Sequence, residues 1–152
     1  MIRDDIKAAL VSAMKGGDKA ATATIRLIQS ALKNRDIELR TGSGAPADDD
    51  VLVTEVLQKM IKQRRESVAL YEQGGRQELA DAETAEIAVI EGFLPRQMSE
   101  DEARAAIDAI VAETGASSVK DMGRVMAALK ERHAGQMDMS KASGLVKARL
   151  SA

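Results

Sequence analysis

The chain of 152 residues contains no cysteine and no tryptophan, and its aromatic residues are a single tyrosine, Tyr71, and a single phenylalanine, Phe93. Without cysteine there is no disulfide and no thiolate chemistry, which fits a reducing cytosol. The near absence of aromatic side chains argues against an RNA site built by stacking splayed bases. It also removes part of the set of residues that favours strands.

Long hydrophobic runs are missing as well. No apolar stretch approaches the roughly 20 residues that a membrane-spanning helix requires. The first residues, Met1 to Asp5, lack the apolar segment of a secretory signal. These features predict a cytoplasmic protein with no membrane partner.

Proline is scarce, and one of the two prolines marks the main division of the chain. Ala, Leu, Ile, Val and Met recur with helical spacing from end to end, except at Leu94-Pro95-Arg96-Gln97. The pattern predicts an all-α protein, with a four-helix bundle-like domain over 1–94 and a small three-helix domain over 95–152. Pairs of glycine, at 16–17 and 74–75, and a Gly/Ser loop at 41–46 separate the first four helices.

Polar residues predict where several helices begin. Asp18 and the acidic run 48–50 suit the positive ends of the second and third helices, and we interpret the acidic run as a cap and not as a metal site. Ser99 with Glu102, and Ser118 with Asp121, have the spacing of capping boxes.

Two charges fall where apolar residues are expected. Arg64 lies within the apolar stripe of the third helix, and Glu86 lies within that of the fourth. Because a short Gly-Gly turn joins these helices, they are expected to be antiparallel neighbours. We therefore predict a structural ion pair between Arg64 and Glu86 and assign no catalytic role to either residue.

The short motifs that resemble catalytic or metal sites lack the partner residues that such sites require. Ser30 and Lys33 have a Ser-x-x-Lys spacing, but the companion motifs of that chemistry are missing. His133 is the sole histidine, so a zinc site has no second nitrogen or sulfur ligand. The sequence thus predicts no catalytic residue, no metal and no cofactor.

Positive charge is concentrated near the end of the chain. From residue 120 onward seven cations face three anions, so this segment carries a net charge of about +4. The candidate RNA contacts are Lys120, Arg124, Lys130, Arg132, Lys141 and Lys147. Gly123 and Gly135 are candidates for close approach of another backbone or a ligand, with helix–helix contact the simpler explanation for Gly123.

Two further rows of cations occur in the first domain. Arg26, Lys33 and Arg40 recur every seven residues on the second helix, and Lys59, Lys62 and Arg65 share a flank of the third. Because acidic residues lie nearby in sequence, we interpret both rows as solvated helix faces.

The segment Lys120-Asp121-Met122-Gly123-Arg124-Val125-Met126, followed by Gly135 and Asp138, resembles the YqeY/GatB-tail domain. Upstream, the segments 25–33 and 94–98 are similar to those of stand-alone YqeY-like proteins. The resemblance spans essentially the whole chain. Family members commonly carry a small residue immediately before the aspartate, where this chain has Met137, which makes that loop more apolar.

The resemblance implies two helical parts and a function near tRNA. A homologous domain forms the tail of the B subunit of the glutamine-dependent aspartyl/glutamyl-tRNA amidotransferase, where it contacts tRNA. The resemblance therefore implies a helical interaction module that binds tRNA or a protein of tRNA aminoacylation or amidation. Two alternatives stay open: participation in a carbon–nitrogen ligase activity with glutamine as amido-N-donor, and a purely protein-binding bundle.

Overall fold

A computed structural model describes residues 1–42, 44–46, 48–133 and 135–151. Over these residues the chain is all-α: it contains seven α-helices and one short 3₁₀ turn, and no strand. The elements are α1 (Ile2–Lys15), α2 (Lys19–Thr41), α3 (Asp49–Gln73), α4 (Gln77–Glu91), α5 (Glu100–Thr114), the 3₁₀ turn Val119–Asp121, α6 (Met122–Arg132) and α7 (Met139–Ser151).

Side-chain caps define several helix starts, as the sequence predicts. Asp18 accepts a hydrogen bond from the Ala21 amide at 3.0 Å. Ser99 accepts one from the Glu102 amide at 3.1 Å. The Ser118–Asp121 capping box is present, but it opens the 3₁₀ turn that precedes α6 and not α6 itself.

The helices form two compact units, Met1–Leu94 and Pro95–Ala152. In the first unit, α2 packs against α1, α3 and α4, and α3 lies along α4. Its core is aliphatic and includes Ile28, Val53, Leu57 and Ile90, all with essentially no exposed surface. Because these side chains recur at helical spacing, one stripe of each helix supplies the core.

The second unit has its own core, in which α5, α6 and α7 pack on one another. Ile107, Val125, Leu129 and Val146 are buried there. Met137 joins this core and is also buried. The apolar residue in the loop before Asp138 thus has a packing role that the local sequence does not indicate.

α4 turns Ala80, Ile87 and Ile90 into the core, while Ala82 is exposed. α2 ends at Thr41, immediately before Gly42.

The segment after Pro95 is held by backbone and side-chain hydrogen bonds within the second unit. The Met98 amide donates to the Gln136 carbonyl at 2.7 Å, and the Gln97 side-chain amide donates to the Gly135 carbonyl. None of the helices in the described ranges has the length and apolarity required to cross a bilayer.

Candidate nucleic-acid interface

The second unit as a whole is less basic than its last segment. Residues 95–152 contain nine Lys or Arg and eight Asp or Glu, which leaves a net charge of about +1. The positive charge counted from residue 120 is offset by the acids of α5. Hence the unit cannot attract phosphates as a uniformly positive body, and any attraction depends on which cations remain unneutralised.

Two of the predicted RNA-contacting arginines are engaged by carboxylates of this unit. Arg132 forms a salt bridge with Glu113 of α5 at 2.7 Å, and the hydrogen bond that its guanidinium donates to Glu113 raises the pKa of Arg132. Arg124 donates to Asp121 at 2.8 Å and reaches the Thr114 carbonyl at 3.4 Å. Since both guanidiniums already have acceptors, they are weaker candidates for phosphate contacts than the sequence suggests.

The pKa of the Asp121 carboxyl is lowered, first by a hydrogen bond from the Ser117 amide and then by one from Arg124. A charged Asp121 keeps a negative group next to Arg124. This arrangement stabilises the turn before α6 and reduces the net positive charge at that point.

Three of the predicted contacts are open to solvent without an ion pair. Lys120 in the 3₁₀ turn, and Lys141 and Lys147 on α7, are exposed and form no salt bridge with any described residue. Lys130 is exposed as well. Lys120, Lys141 and Lys147 are therefore the described cations of this unit best placed to meet an outside anion.

The glycine of α6 does not make the predicted helix–helix contact. Gly123 is exposed, and a Cβ built on it meets no atom within 4 Å. The same is true of Gly144 in the middle of α7, which the sequence analysis did not single out. Gly144 follows Lys141 by three residues within α7, so both lie on one face of that helix. Gly123 follows Lys120 by three residues, but Lys120 lies in the 3₁₀ turn that precedes α6.

Gly135 has a different explanation. Its φ is +76°, in the left-handed region, and the residue is buried. Glycine is required there by backbone conformation, which residues with a Cβ adopt at a cost. Close approach of a ligand at Gly135 stays a prediction.

Replacing Gly144 with Ala is expected to stabilise the protein by about 0.5–1 kcal/mol, because Ala is the better helix former and the added methyl group meets empty space. The same change at Gly123, in the first turn of α6, should stabilise it by less. Urea unfolding of the two variants measures this gain. A loss of stability at either position would show that its surroundings are more crowded than the structure indicates.

Arg64 and Glu86 meet across α3 and α4 in the first unit. The Nε of Arg64 donates to Glu86 Oε2 at 2.9 Å, and one Arg64 Nη donates to the Met60 carbonyl at 3.3 Å. A third partner, Glu83, lies 3.9 Å from the same Nε and was missed from the sequence. The i, i+3 spacing of Glu83 and Glu86 was the available signal, since it places both carboxylates on one face of α4.

Residues 3–150 match the family model described as Yqey-like protein, which covers nearly the entire chain. An uncharacterised protein of Schizosaccharomyces pombe is 30% identical over 94 residues, which represent 62% of this chain and 72% of that protein.

A second relative is the mitochondrial protein of Kluyveromyces lactis named Altered inheritance of mitochondria protein 41. It is 30% identical over 88 residues, which represent 58% of this chain. The match spans 45% of the yeast protein, less than half of its length.

Proposed function

Because the chain belongs to the YqeY-like family, we propose that it is a non-catalytic helical interaction module whose second unit binds tRNA. The observation that carries the proposal is the pairing of exposed lysines with open glycines on α6 and α7. The resemblance of residues 120–126 to the tRNA-contacting tail domain selects tRNA among nucleic acids. A protein of tRNA aminoacylation or amidation is the second partner that the resemblance implies.

The face of α7 is the clearest part of this surface. Lys141 and Lys147 lie three residues before and three residues after Gly144, so they flank it on one side of the helix. With no side chain at Gly144, a phosphate backbone can approach α7 closely while the lysines reach around it. Ser140 and Ala148, the neighbours of Gly144 on this face, are small and exposed.

The α6 side contributes in the same manner. Lys120 precedes Gly123 by three residues, and the exposed Ala127 follows Gly123 by one helical turn. Gly123 lies in the first turn of α6, and a Cβ built on it meets no atom within 4 Å, so it leaves room for a contact from outside.

The double variant Lys141→Gln/Lys147→Gln is expected to weaken tRNA binding several-fold at low salt. Each lysine that contacts a phosphate releases counterions, so losing two should lower the slope of log affinity against log salt by about 2 units. Filter binding or fluorescence anisotropy with tRNA at several salt concentrations measures both quantities.

Lys59→Gln/Lys62→Gln provides the matched control, because it removes the same charge from exposed lysines of the first unit. Its affinity and salt slope should stay near those of the unaltered protein. If the unaltered protein fails to bind tRNA at low salt, or if both double variants weaken binding equally, the proposal is wrong.

Participation in a carbon–nitrogen ligase activity stays an implication of the resemblance, and no contact in the described residues favours it. The cytoplasmic location predicted from composition also stays a prediction. The name of the Kluyveromyces lactis relative places that protein in mitochondria.

A further inference from the structure

The outward face of α2 has an uncharged stripe whose residues are exposed in the part of the chain that the structure describes. Its members are alternately three and four residues apart, as in the a and d positions of a heptad. They are Ala20, Ala23, Leu27, Ser30, Asn34, Ile37 and Thr41, and all are exposed. We call this set the α2 stripe.

Two large apolar side chains of the α2 stripe lie in solvent. Leu27 and Ile37 are 46% and 47% exposed, although the opposite side of α2 is buried through Ile25, Ile28 and Leu32. α2 contacts α1, α3 and α4, and its buried residues belong to the core that these helices share. The α2 stripe is thus a second, unoccupied packing face on a helix that already contributes fully to the core.

A row of cations borders the α2 stripe. Lys19, Arg26, Lys33 and Arg40 each precede an a position by one residue, which is the g position of a heptad. Seven residues of α-helix rise about 10.5 Å, so the four charges extend along the whole helix. We call them the g row.

The nearby acids do not neutralise the g row. Asp36 receives two hydrogen bonds from Arg3, at 3.1 and 3.2 Å, and Glu38 pairs with Arg35 at 3.2 Å. No member of the g row forms a salt bridge with a described residue. Arg26, Lys33 and Arg40 are exposed, as expected for a solvated helix face.

We propose that the α2 stripe is a docking face for an amphipathic α-helix of a partner protein that carries Asp or Glu along one edge. Small residues at Ala20, Ala23 and Ser30 allow a helix to approach closely, while Leu27 and Ile37 supply apolar contacts. The g row pairs with the acidic edge. Such e/g pairs set partner choice and orientation in helix–helix contacts.

A second copy of this chain fits the α2 stripe less well. Antiparallel pairing of two α2 helices sets one g row against the other, which is repulsive. Parallel pairing sets the g row against Thr24, Ala31 and Glu38, of which one is acidic. Like charges across an interface cost enough to suppress the wrong partner.

RNA is also a poorer match. α2 contains no aromatic residue for base stacking. The apolar side chains of Leu27 and Ile37 cannot bind a phosphate, whereas both can pack against the apolar face of a partner helix. The inference is independent of the tRNA proposal because it concerns a different unit and a different class of ligand.

The test uses the full chain and a synthetic, dye-labelled acidic peptide of about three heptads, with Leu at a and d and Glu at e and g. Its own charges keep the peptide from pairing with itself. Fluorescence anisotropy should show binding that weakens with salt, and no binding of a scrambled peptide of identical composition. Arg26→Glu/Lys33→Glu should lower the affinity about tenfold or more.

Two further variants separate the charge from the stripe. Leu27→Asp should abolish binding, while Lys59→Glu/Lys62→Glu, an equal charge change on α3, should alter the affinity by less than about twofold. Circular dichroism checks that each variant keeps its helices.

Three outcomes would overturn the inference. The first is that the acidic peptide does not bind at low salt, or that it binds the Arg26→Glu/Lys33→Glu variant with unchanged affinity. The second is RNA binding that requires Arg26 and Lys33 and is not displaced by the peptide. The third is a dimer of the unaltered chain in sedimentation equilibrium that Leu27→Asp dissociates, which would make a second copy the occupant.

Discussion

Replacing Leu129 with Ala is expected to unfold the second unit at a temperature at which the first unit stays folded. Leu129 has no exposed surface and lies within the aliphatic core of α5–α7. A Leu→Ala change at such a site costs about 2–5 kcal/mol, because the contacts are lost and a cavity remains. A domain of this size is stabilised by about 3–9 kcal/mol in total, so the change removes a large share.

Calorimetry and hydrogen exchange followed by mass spectrometry measure the effect. Peptides from α5, α6 and α7 should lose protection in Leu129→Ala, while those from α1 to α4 keep it. The converse variant is Leu57→Ala, which removes an equally buried leucine from the first unit. Leu70, which is 68% exposed, supplies the control, and Leu70→Ala should change stability by less than about 0.5 kcal/mol.

The pair of variants also tests whether 1–94 and 95–152 are separate domains. If Leu57→Ala and Leu129→Ala each lower the same single transition and expose both units together, the chain unfolds as one cooperative body and the predicted division is wrong. If each variant affects its own unit, the tRNA site proposed for the second unit can be lost without unfolding the first.

Helical periodicity made the all-α class predictable, because 3.6 residues per turn imposes a pattern that short windows of sequence display. The Gly-Gly turns and the Asp18 and Ser99 caps were equally visible, since capping depends on residues three positions apart. The Arg64–Glu86 contact also followed from local rules: two charges within apolar stripes, on helices that a tight turn makes neighbours.

The sequence could not show which cations of the candidate RNA surface are neutralised by carboxylates, because that depends on neighbours in the folded chain. Arg132 meets Glu113 across α5 and α6, and Arg149 meets Asp108 of α5 at 2.8 Å. A charge count that begins at residue 120 excludes both acids. Likewise, the sequence places Met137 in a loop, and only the folded structure shows that its side chain packs in the core of the second unit.

A tertiary contact also changes the surroundings of the cations of α2, which were expected to form a solvated face and are exposed. Asp36 and Glu38 lie near these cations in the sequence. In the structure Arg3 of α1 donates hydrogen bonds to Asp36 of α2 and to Asp49 of α3, so one arginine links three helices. The Asp36 carboxylate is therefore already paired and does not neutralise the cations of α2. The hydrogen bond from Arg3 lowers the pKa of the Asp49 carboxyl, which keeps it charged in that network.

Arg64→Ala is expected to destabilise the first unit more than Glu86→Ala, by about 1–3 kcal/mol against about 0.5–1 kcal/mol. The Arg64 side chain is 15% exposed, and its removal leaves Glu83 and Glu86 one turn apart on α4 without their shared cation. Removal of Glu86 leaves Arg64 with Glu83 and the Met60 carbonyl. Both costs lie below those of a fully buried pair, because Glu86 is one-third exposed.

Urea unfolding of both single variants and of the double variant gives the coupling energy of the pair. The matched control joins the same two helices: Arg65 lies 3.0 Å from Glu91, but both side chains are about half exposed. Arg65→Ala should therefore cost less than about 0.5 kcal/mol, and its effect should vanish at high salt. Equal losses for Arg64→Ala and Arg65→Ala would mean that burial does not distinguish the two pairs. A larger loss for Glu86→Ala than for Arg64→Ala would mean that Glu83 does not substitute for it.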